Sequence, residues 1–360
     1  MSHPNLPGRL GNPNLTVFED PRIDPRVAAV LSKGGGIPEI ESPGFNASYE
    51  QGLAFCEAFE KQDVSMHEVQ FALMPDFNSV EQRTEVIKGD DDNDITLYIH
   101  RPKDVDGDLP CLVHTHGGGM VLMTATDPMF FRWRNSLAQT GIMVIGIEFR
   151  NGGGRLGNHP FPAGLNDCAS GLRWVYSNRE ALDVSTIVIS GESGGGNLSI
   201  ATTLKALKEG WVGEINGVYA QCPYVSGDYA NPPAELISLV ENDGYTLSCE
   251  MMAPLVKVYD PDSSNSGNLL TWPLKATIDE LEGLPPHAIS VNELDPLRDE
   301  GLAYYRKLLA AGVSATARTI NGTTHGADQG MADAIPEVFH ASVEAVSSFV
   351  KSIDAGKNKS

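Results

Sequence analysis

The sequence predicts an α/β fold in which a mostly parallel sheet is covered by helices on both faces. From residue 95 onward, short apolar segments of the buried-strand type alternate with segments of helical apolar spacing. Strands that alternate with helices of about 10 to 15 residues are typical of parallel βαβ units. Glycine triplets begin two to four residues after the ends of three predicted strands, where backbone must turn sharply or approach another segment closely.

The individual elements follow this alternation to the end of the chain. The predicted strands lie at 95–100, 111–115, 142–149, 186–190, 217–222, 288–292 and 315–320. The predicted helices lie at 166–178, 195–209, 299–311 and 336–352. The acidic run Asp90–Asp94 lacks the ligand spacing of a calcium loop, and we interpret it as a solvated hairpin turn.

Two intervals interrupt the alternation, and both contain proline breaks around short helical patches. Long segments outside the core of an α/β protein often cover the active site. We therefore expect residues 1–85 to form an N-terminal cap segment and residues 226–274 to form a cap insertion. The catalytic domain is then built from residues 86–225 and 275–360.

The composition excludes several classes of partner. A formal net charge of −21 repels both nucleic acid and anionic membrane surfaces, so neither is expected to bind. We find no leader-like or membrane-length apolar segment, so we expect a cytoplasmic protein. The five cysteines are scattered without a CxxC pair, which predicts buried, reduced thiols and no metal centre. The oligomeric state stays open.

The strongest chemical signal is Gly191-Glu192-Ser193-Gly194-Gly195, which lies between a predicted strand and a predicted helix. In this context the pattern G-x-S-x-G predicts a nucleophile elbow, a tight turn that exposes the serine hydroxyl and needs very small neighbours. We therefore interpret Ser193 as the nucleophile. Glu192 occupies the variable position of the motif, where we expect a merely tolerated residue.

A second glycine run, His116-Gly117-Gly118-Gly119, follows the strand at 111–115. Together with an elbow, such a run predicts backbone N–H groups that form half of an oxyanion hole. The alternatives are a phosphate loop, whose usual motifs are missing, and a metal site on His114 and His116. No third ligand cluster accompanies these two histidines, which favours structural roles for them.

A serine nucleophile needs a base and an orienting carboxylate. His325 is the best candidate base because it lies in a loop after a late strand, whereas His287 precedes a strand and His340 lies within the last helix. The candidate acids follow the strand at 288–292. Spacing alone does not separate Glu293 from Asp295, and Asp299 is a more distant competitor.

Residues 95–350, with these motifs in this order, resemble the hormone-sensitive-lipase family of α/β-hydrolases. The resemblance implies an α/β-hydrolase fold with a helical cap and a serine carboxylesterase that needs neither cofactor nor metal. Its implied substrates are small-molecule esters of short to medium chain length. It selects Asp295, in Asp295-Pro-Leu-Arg-Asp-Glu-Gly301, as the acid beside Ser193 and His325. It also implies oxyanion donors at Gly118, Gly119 and Gly194.

The chain departs from this family at two places. Gly194 replaces the usual alanine after the nucleophile, and Asn151-Gly-Gly-Gly-Arg155 replaces the usual Leu-Ala-Pro-Glu segment. Neither Gly152–Gly154 nor Gly34–Gly36 has a predicted role. Two alternative functions remain: an amidase or deacetylase with the same catalytic residues, and a non-catalytic ligand receptor on the same fold.

Overall fold

The computed structural model describes residues 8–36 and 40–357. Its central feature is an eight-stranded sheet in the order β1-β2-β4-β3-β5-β6-β7-β8. β2 is antiparallel to β1 and β4, and the other neighbouring strands are parallel. The strands are β1 Val80–Lys88, β2 Asp94–Pro102, β3 Leu109–Thr115, β4 Met143–Glu148, β5 Val184–Glu192, β6 Gly217–Gln221, β7 His287–Asn292 and β8 Ala315–Ile320.

Helices connect the strands and cover the sheet. The α-helices are α1 Pro25–Leu31, α2 Tyr49–Val64, α3 His67–Ala72, α4 Pro128–Ala138, α5 Ala163–Ser177, α6 Gly194–Glu209, α7 Ser238–Glu241, α8 Cys249–Tyr259, α9 Arg298–Ala310, α10 Ala327–Gly330 and α11 Pro336–Lys357. Short 3₁₀ helices lie at Gly8–Leu10, Gly154–Leu156, Val212–Glu214, Pro273–Lys275 and Asp279–Leu281.

Alternation of side chains along the strands builds a core on each face of the sheet. Successive residues of a strand point to opposite faces. Val113 of β3 and Ile145 of β4 pack with residues of α5, α6 and α9. Leu112 and Val144, their neighbours in sequence, pack on the other face with residues of α4 and α11. The prediction of a mostly parallel sheet covered on both faces is therefore confirmed.

Among the elements that were not predicted from the sequence are β1 and α4. β1 is a polar edge strand whose interior residues are mostly exposed, so it lacks the apolar signal of a buried strand. α4 begins with Pro128 after Asp127, and its apolar residues are interrupted by two arginines. The turn between β1 and β2, closed by a hydrogen bond from Gly89 N to Asn93 O, confirms the predicted hairpin. The predicted segment boundary at residue 85 falls inside β1.

The two irregular intervals pack against each other through α2 and α8. Gly52 of α2 is the point of closest approach, because a Cβ there would lie 2.6 Å from Val258 Cγ2 and 3.2 Å from Pro254 O. Phe55 and Phe59 of α2 share the main hydrophobic core with Met252 and Leu255 of α8. The two helices therefore form one packed layer.

The glycine run 152–154 allows a loop to pass close beneath this layer. Gly152 N donates to Met120 O, and Gly153 N donates to Val121 O. A Cβ on Gly152 would lie 2.8 Å from Val121 Cγ1, and a Cβ on Gly153 would lie 3.2 Å from Val258 Cγ1. The sequence predicted no role for this run, and the structure shows that it allows close packing of the backbone.

The five cysteines are free and buried, as predicted. Across residues 8–36 and 40–357, no helix has both the length and the apolar character needed to cross a bilayer.

We expect Gly52→Val to destabilise the protein by about 1–3 kcal/mol, because the added methyl groups overpack the contact between α2 and α8. Gly213→Val is the matched control, since no atom lies within 4 Å of a Cβ at Gly213. Its effect should stay within about 0.5 kcal/mol. Denaturant unfolding of both variants measures the difference, and equal losses of stability would contradict this account of the contact.

Candidate active site

Ser193 lies on a sharp turn between β5 and α6. Its φ of 54° and ψ of −117° are an uncommon conformation for a residue with a side chain. The flanking glycines make the turn sterically possible. A Cβ on Gly191 would lie 2.3 Å from Thr115 O, and a Cβ on Gly195 would lie 1.9 Å from the same oxygen. The turn therefore has the geometry predicted for a nucleophile elbow.

The glycine loop after β3 lies directly against this turn. Gly118 and Gly119 have φ values of 102° and 61°, which side chains rarely adopt. A Cβ on Gly194 would lie 2.6 Å from Gly119 N and 2.5 Å from Met120 N. This contact explains the departure from alanine at position 194, because the loop backbone occupies the space of a methyl group. It also brings the three predicted oxyanion donors together.

Glu192 is more than a tolerated residue of the elbow. Its buried carboxylate accepts a hydrogen bond from Gly117 N at 2.8 Å through Oε1. Its Oε2 lies 2.9 Å from His114 Nε2. The residue beside Ser193 therefore fixes the start of the glycine loop, a contact between distant segments that the motif alone does not reveal.

The two histidines of β3 and its following loop have structural contacts. His116 stacks on Phe149 with ring centroids 4.2 Å apart, and its Nδ1 bonds to Gly117 O at 2.8 Å. Burial lowers the pKa of His116 to about 4, so the ring is neutral at physiological pH. Among the residues that the structure describes, neither His114 nor His116 belongs to a cluster with metal-ligand geometry.

Asp295 and His325 are joined by a short hydrogen bond, with 2.7 Å between Oδ2 and Nδ1. Asp295 is fully buried, and its Oδ1 accepts from Leu297 N at 2.9 Å. Burial of His325 disfavours the imidazolium, but the negative charge of Asp295 outweighs this effect. The pKa of His325 is therefore raised well above its usual value.

The other candidate acids and bases lie elsewhere. Glu293 Oε2 accepts from Gly322 N at 2.9 Å, and Asp299 Oδ2 accepts from Ser238 N at 2.8 Å. His287 is buried with its Nδ1 2.6 Å from Pro285 O, and His340 is exposed on α11. The geometry thus distinguishes Asp295 from Glu293, which their spacing could not do.

Ser193 and His325 line one cavity of about 630 Å³, together with the glycine loop 117–119. This volume is within the usual range for small-molecule sites. Cys222, at the end of β6, also lines it, and its Sγ lies within 4.8 Å of the facing atoms of Asp295 and His325. Much of the remaining wall is apolar and comes from both irregular intervals: Phe59, Leu73, Met74, Leu247, Met251, Met252 and Leu255.

The loop that carries Asp295 is supported by a network of charged and polar side chains. Asn242 Nδ2 donates to the backbone oxygens of Glu293 and Asp295, at 3.1 Å each. Arg22, from the N-terminal segment, donates to Asn242 Oδ1 at 3.0 Å and pairs with Glu241 at 2.7 Å. The N-terminal segment is therefore connected to the acid loop through Asn242.

This combination of an elbow, a glycine loop and a His–Asp pair has counterparts among known proteins. Residues 112–329 match a family model described as alpha/beta hydrolase fold, which covers more than half of the chain. The chain belongs to the α/β-hydrolase fold family. The predicted fold class is thereby confirmed, and the elbow of this α/β-hydrolase falls within the matched region.

Several relatives of this hydrolase are named as esterases. Carboxylesterase NlhH of Mycobacterium tuberculosis is 31% identical over 260 residues, which cover 71% of this chain and 76% of the relative. The solved structure of brefeldin A esterase, described as a bacterial homologue of human hormone-sensitive lipase, is 41% identical with a TM-score of 0.91. It covers 97% of this chain and 99% of its own.

The structure of esterase Est22 is also similar, with 35% identity and a TM-score of 0.83, and covers 94% of this chain and 99% of its own. The resemblance to the hormone-sensitive-lipase family is confirmed by these matches.

We expect Asp295→Asn to lower the pKa of His325, because the substitution removes the negative charge beside Nδ1. The imidazole should then lose its proton at lower pH than in the wild type. Glu293→Gln is the matched control, since Glu293 bonds to Gly322 N instead. NMR titration of the His325 ring measures both variants. An unchanged pKa in Asp295→Asn, or an equal shift in Glu293→Gln, would contradict this pairing.

Proposed function

We propose that this α/β-hydrolase is a serine carboxylesterase that acts on short- to medium-chain esters through an acyl-enzyme intermediate. The observation that carries the proposal is the hydrogen bond between His325 and Asp295, in the same cavity as Ser193 on its elbow. The esterase names of relatives that align with most of the chain support the same reaction class.

In the proposed reaction, His325 takes the proton of Ser193 as Oγ attacks the ester carbonyl carbon. Asp295 keeps Nδ1 of the imidazole protonated and directed toward itself, and it stabilises the imidazolium that forms. The leaving alcohol receives the proton from His325. His325 then takes a proton from a water molecule that attacks the acyl-enzyme, and it gives this proton to Ser193 Oγ as the bond to the acyl carbon breaks and the carboxylic acid leaves.

The oxyanion of each tetrahedral intermediate is stabilised by the backbone N–H groups of Gly118, Gly119 and Gly194. Donors fixed before the reaction stabilise developing charge without a reorganisation cost. Here the contact between Gly194 and Gly119 and the bond from Gly117 N to Glu192 hold the loop in place. The first turn of α6 adds the favourable potential of a helix N-terminus.

The substrate range follows from the shape and lining of the cavity. A volume of about 630 Å³ admits a small ester, and its apolar residues favour an aliphatic acyl or alcohol group. Methionines of the cavity lining, including Met74, Met251 and Met252, have flexible side chains that adapt to ligands of different shape. We therefore propose short to medium chains rather than one sharply defined acyl group.

Ser193→Ala tests the nucleophile. We expect its kcat on p-nitrophenyl butyrate to fall by several orders of magnitude, because no acyl-enzyme can form. A fluorophosphonate probe should label the wild type and leave the variant unlabelled, as detected by intact mass. Near-wild-type turnover of the purified variant, or labelling at a different residue, would overturn the assignment.

A panel of p-nitrophenyl esters of increasing acyl length tests the substrate class. We expect kcat/KM to be highest for short to medium chains and to fall for long chains that exceed the cavity. Matched p-nitroanilides of the same acyl groups should react much more slowly. Equal or faster cleavage of the anilides would favour an amidase, and an absence of cleavage and labelling would favour a non-catalytic receptor.

A further inference from the structure

The junction of α2 and α3 reverses the usual distribution of polar and apolar side chains. Asp63 and His67 line the active-site cavity. The apolar side chains that alternate with them along the chain point to the surface. Their exposed fractions are 38% for Val64, 51% for Met66 and 51% for Val69. Partly burying charged or polar groups while exposing apolar ones is unfavourable. This inversion indicates a polar ligand group on the inner side.

The two inward residues form an ordered pair. His67 Nε2 lies 2.9 Å from Asp63 Oδ2, at the spacing of neighbours on one helical face. An ionised carboxylate at this distance accepts a hydrogen bond from Nε2, so we assign the proton of the neutral imidazole to Nε2. His67 Nδ1 is then a hydrogen-bond acceptor. The side chain of His67 is only 13% exposed, so only a few groups can form a hydrogen bond with Nδ1.

Asp127 lies on the far side of His67, with 3.9 Å between its Oδ1 and Nδ1. This distance is too long for a direct hydrogen bond. Asp127 is itself held by Arg155 Nη2 at 2.8 and 2.9 Å, and by Thr124 Oγ1 at 2.7 Å. The carboxylate therefore stays fixed and does not occupy the acceptor on His67, a residue that lines the cavity.

The charges around this pair restrict the ligand. Asp63 and Asp127 repel an anionic group, while Arg155 donates from Nη2 to both carboxylate oxygens of Asp127 and reduces the attraction for a cation. A neutral hydrogen-bond donor satisfies the exposed acceptor on His67 without adding charge. A hydroxyl group fits these conditions best.

We propose that Asp63 and His67 form a polar subsite that accepts a hydrogen bond from a hydroxyl group of the substrate. The proposal rests on the proposed esterase function and deepens it, because it names the substrate class. The preferred substrates are neutral esters with an aliphatic part for the apolar wall and a hydroxyl remote from the ester bond. His67 acts here as a binding residue and takes no part in the chemical step.

The test compares p-nitrophenyl hexanoate with its ω-hydroxy derivative and uses the ratio of their kcat/KM values. In His67→Leu, the preference for the hydroxylated ester should fall about tenfold, the size expected for one lost hydrogen bond. His67→Gln retains an acceptor oxygen and should keep part of the preference. Glu68→Leu is the matched control, because Glu68 is exposed on the same helix outside the cavity. Its ratio should equal that of the wild type.

Binding in the Ser193→Ala background separates this proposal from the proposed function. Calorimetry should show tighter binding of the hydroxylated ester, and this preference should disappear when His67→Leu is added. If wild-type protein hydrolyses neither ester but the binding preference is observed, the esterase assignment fails and the subsite stands. If the ratio and the binding preference are the same with and without His67, the subsite is overturned while the esterase assignment stands.

Discussion

The contact between the first turn of α6 and the loop after β3 constrains the whole site. Gly194 and Gly195 approach the backbone of residues 115–120 so closely that a single methyl group on either would collide with main-chain atoms. Main chain cannot move aside as a side-chain end can, so the turn at Ser193 and the glycine loop 117–119 form one rigid unit. Catalysis by fixed dipoles depends on such rigidity, because donors that reorient during the reaction lose much of their benefit.

Buried carboxylates complete this arrangement by accepting hydrogen bonds from backbone N–H groups of the loops. Glu192 accepts from Gly117 N, and Asp295 accepts from Leu297 N. Glu60 of α2 accepts from Met123 N at 2.6 Å, and so ties the covering layer to the segment after the oxyanion loop. Part of the acidic excess of this chain therefore lies inside the molecule, where it orders backbone rather than repelling partners. Composition alone could not reveal this division.

Much of the architecture was predictable because it follows local rules. The strand–turn–helix context of Ser193 and the alternation of apolar segments located the sheet and the elbow. β1 escaped prediction because an exposed edge strand carries no apolar alternation. Tertiary contacts explain the other omissions. Two features of the site depend on contacts between segments that are distant in the sequence. They are the distinction between Asp295 and Glu293 and the anchoring role of Glu192.

The network that joins Arg22 to the acid loop bears on how such enzymes can diverge. Arg22 reaches Asn242, and Asn242 holds the backbone oxygen of Asp295 itself. A covering segment of this kind is not a module that can be exchanged between relatives while the reaction centre stays as it was. A graft that replaced this segment without carrying the partners of Arg22 would also loosen the loop of Asp295, the residue that we propose orients His325. Under the proposed mechanism, a change in this segment would therefore affect both substrate preference and the position of Asp295.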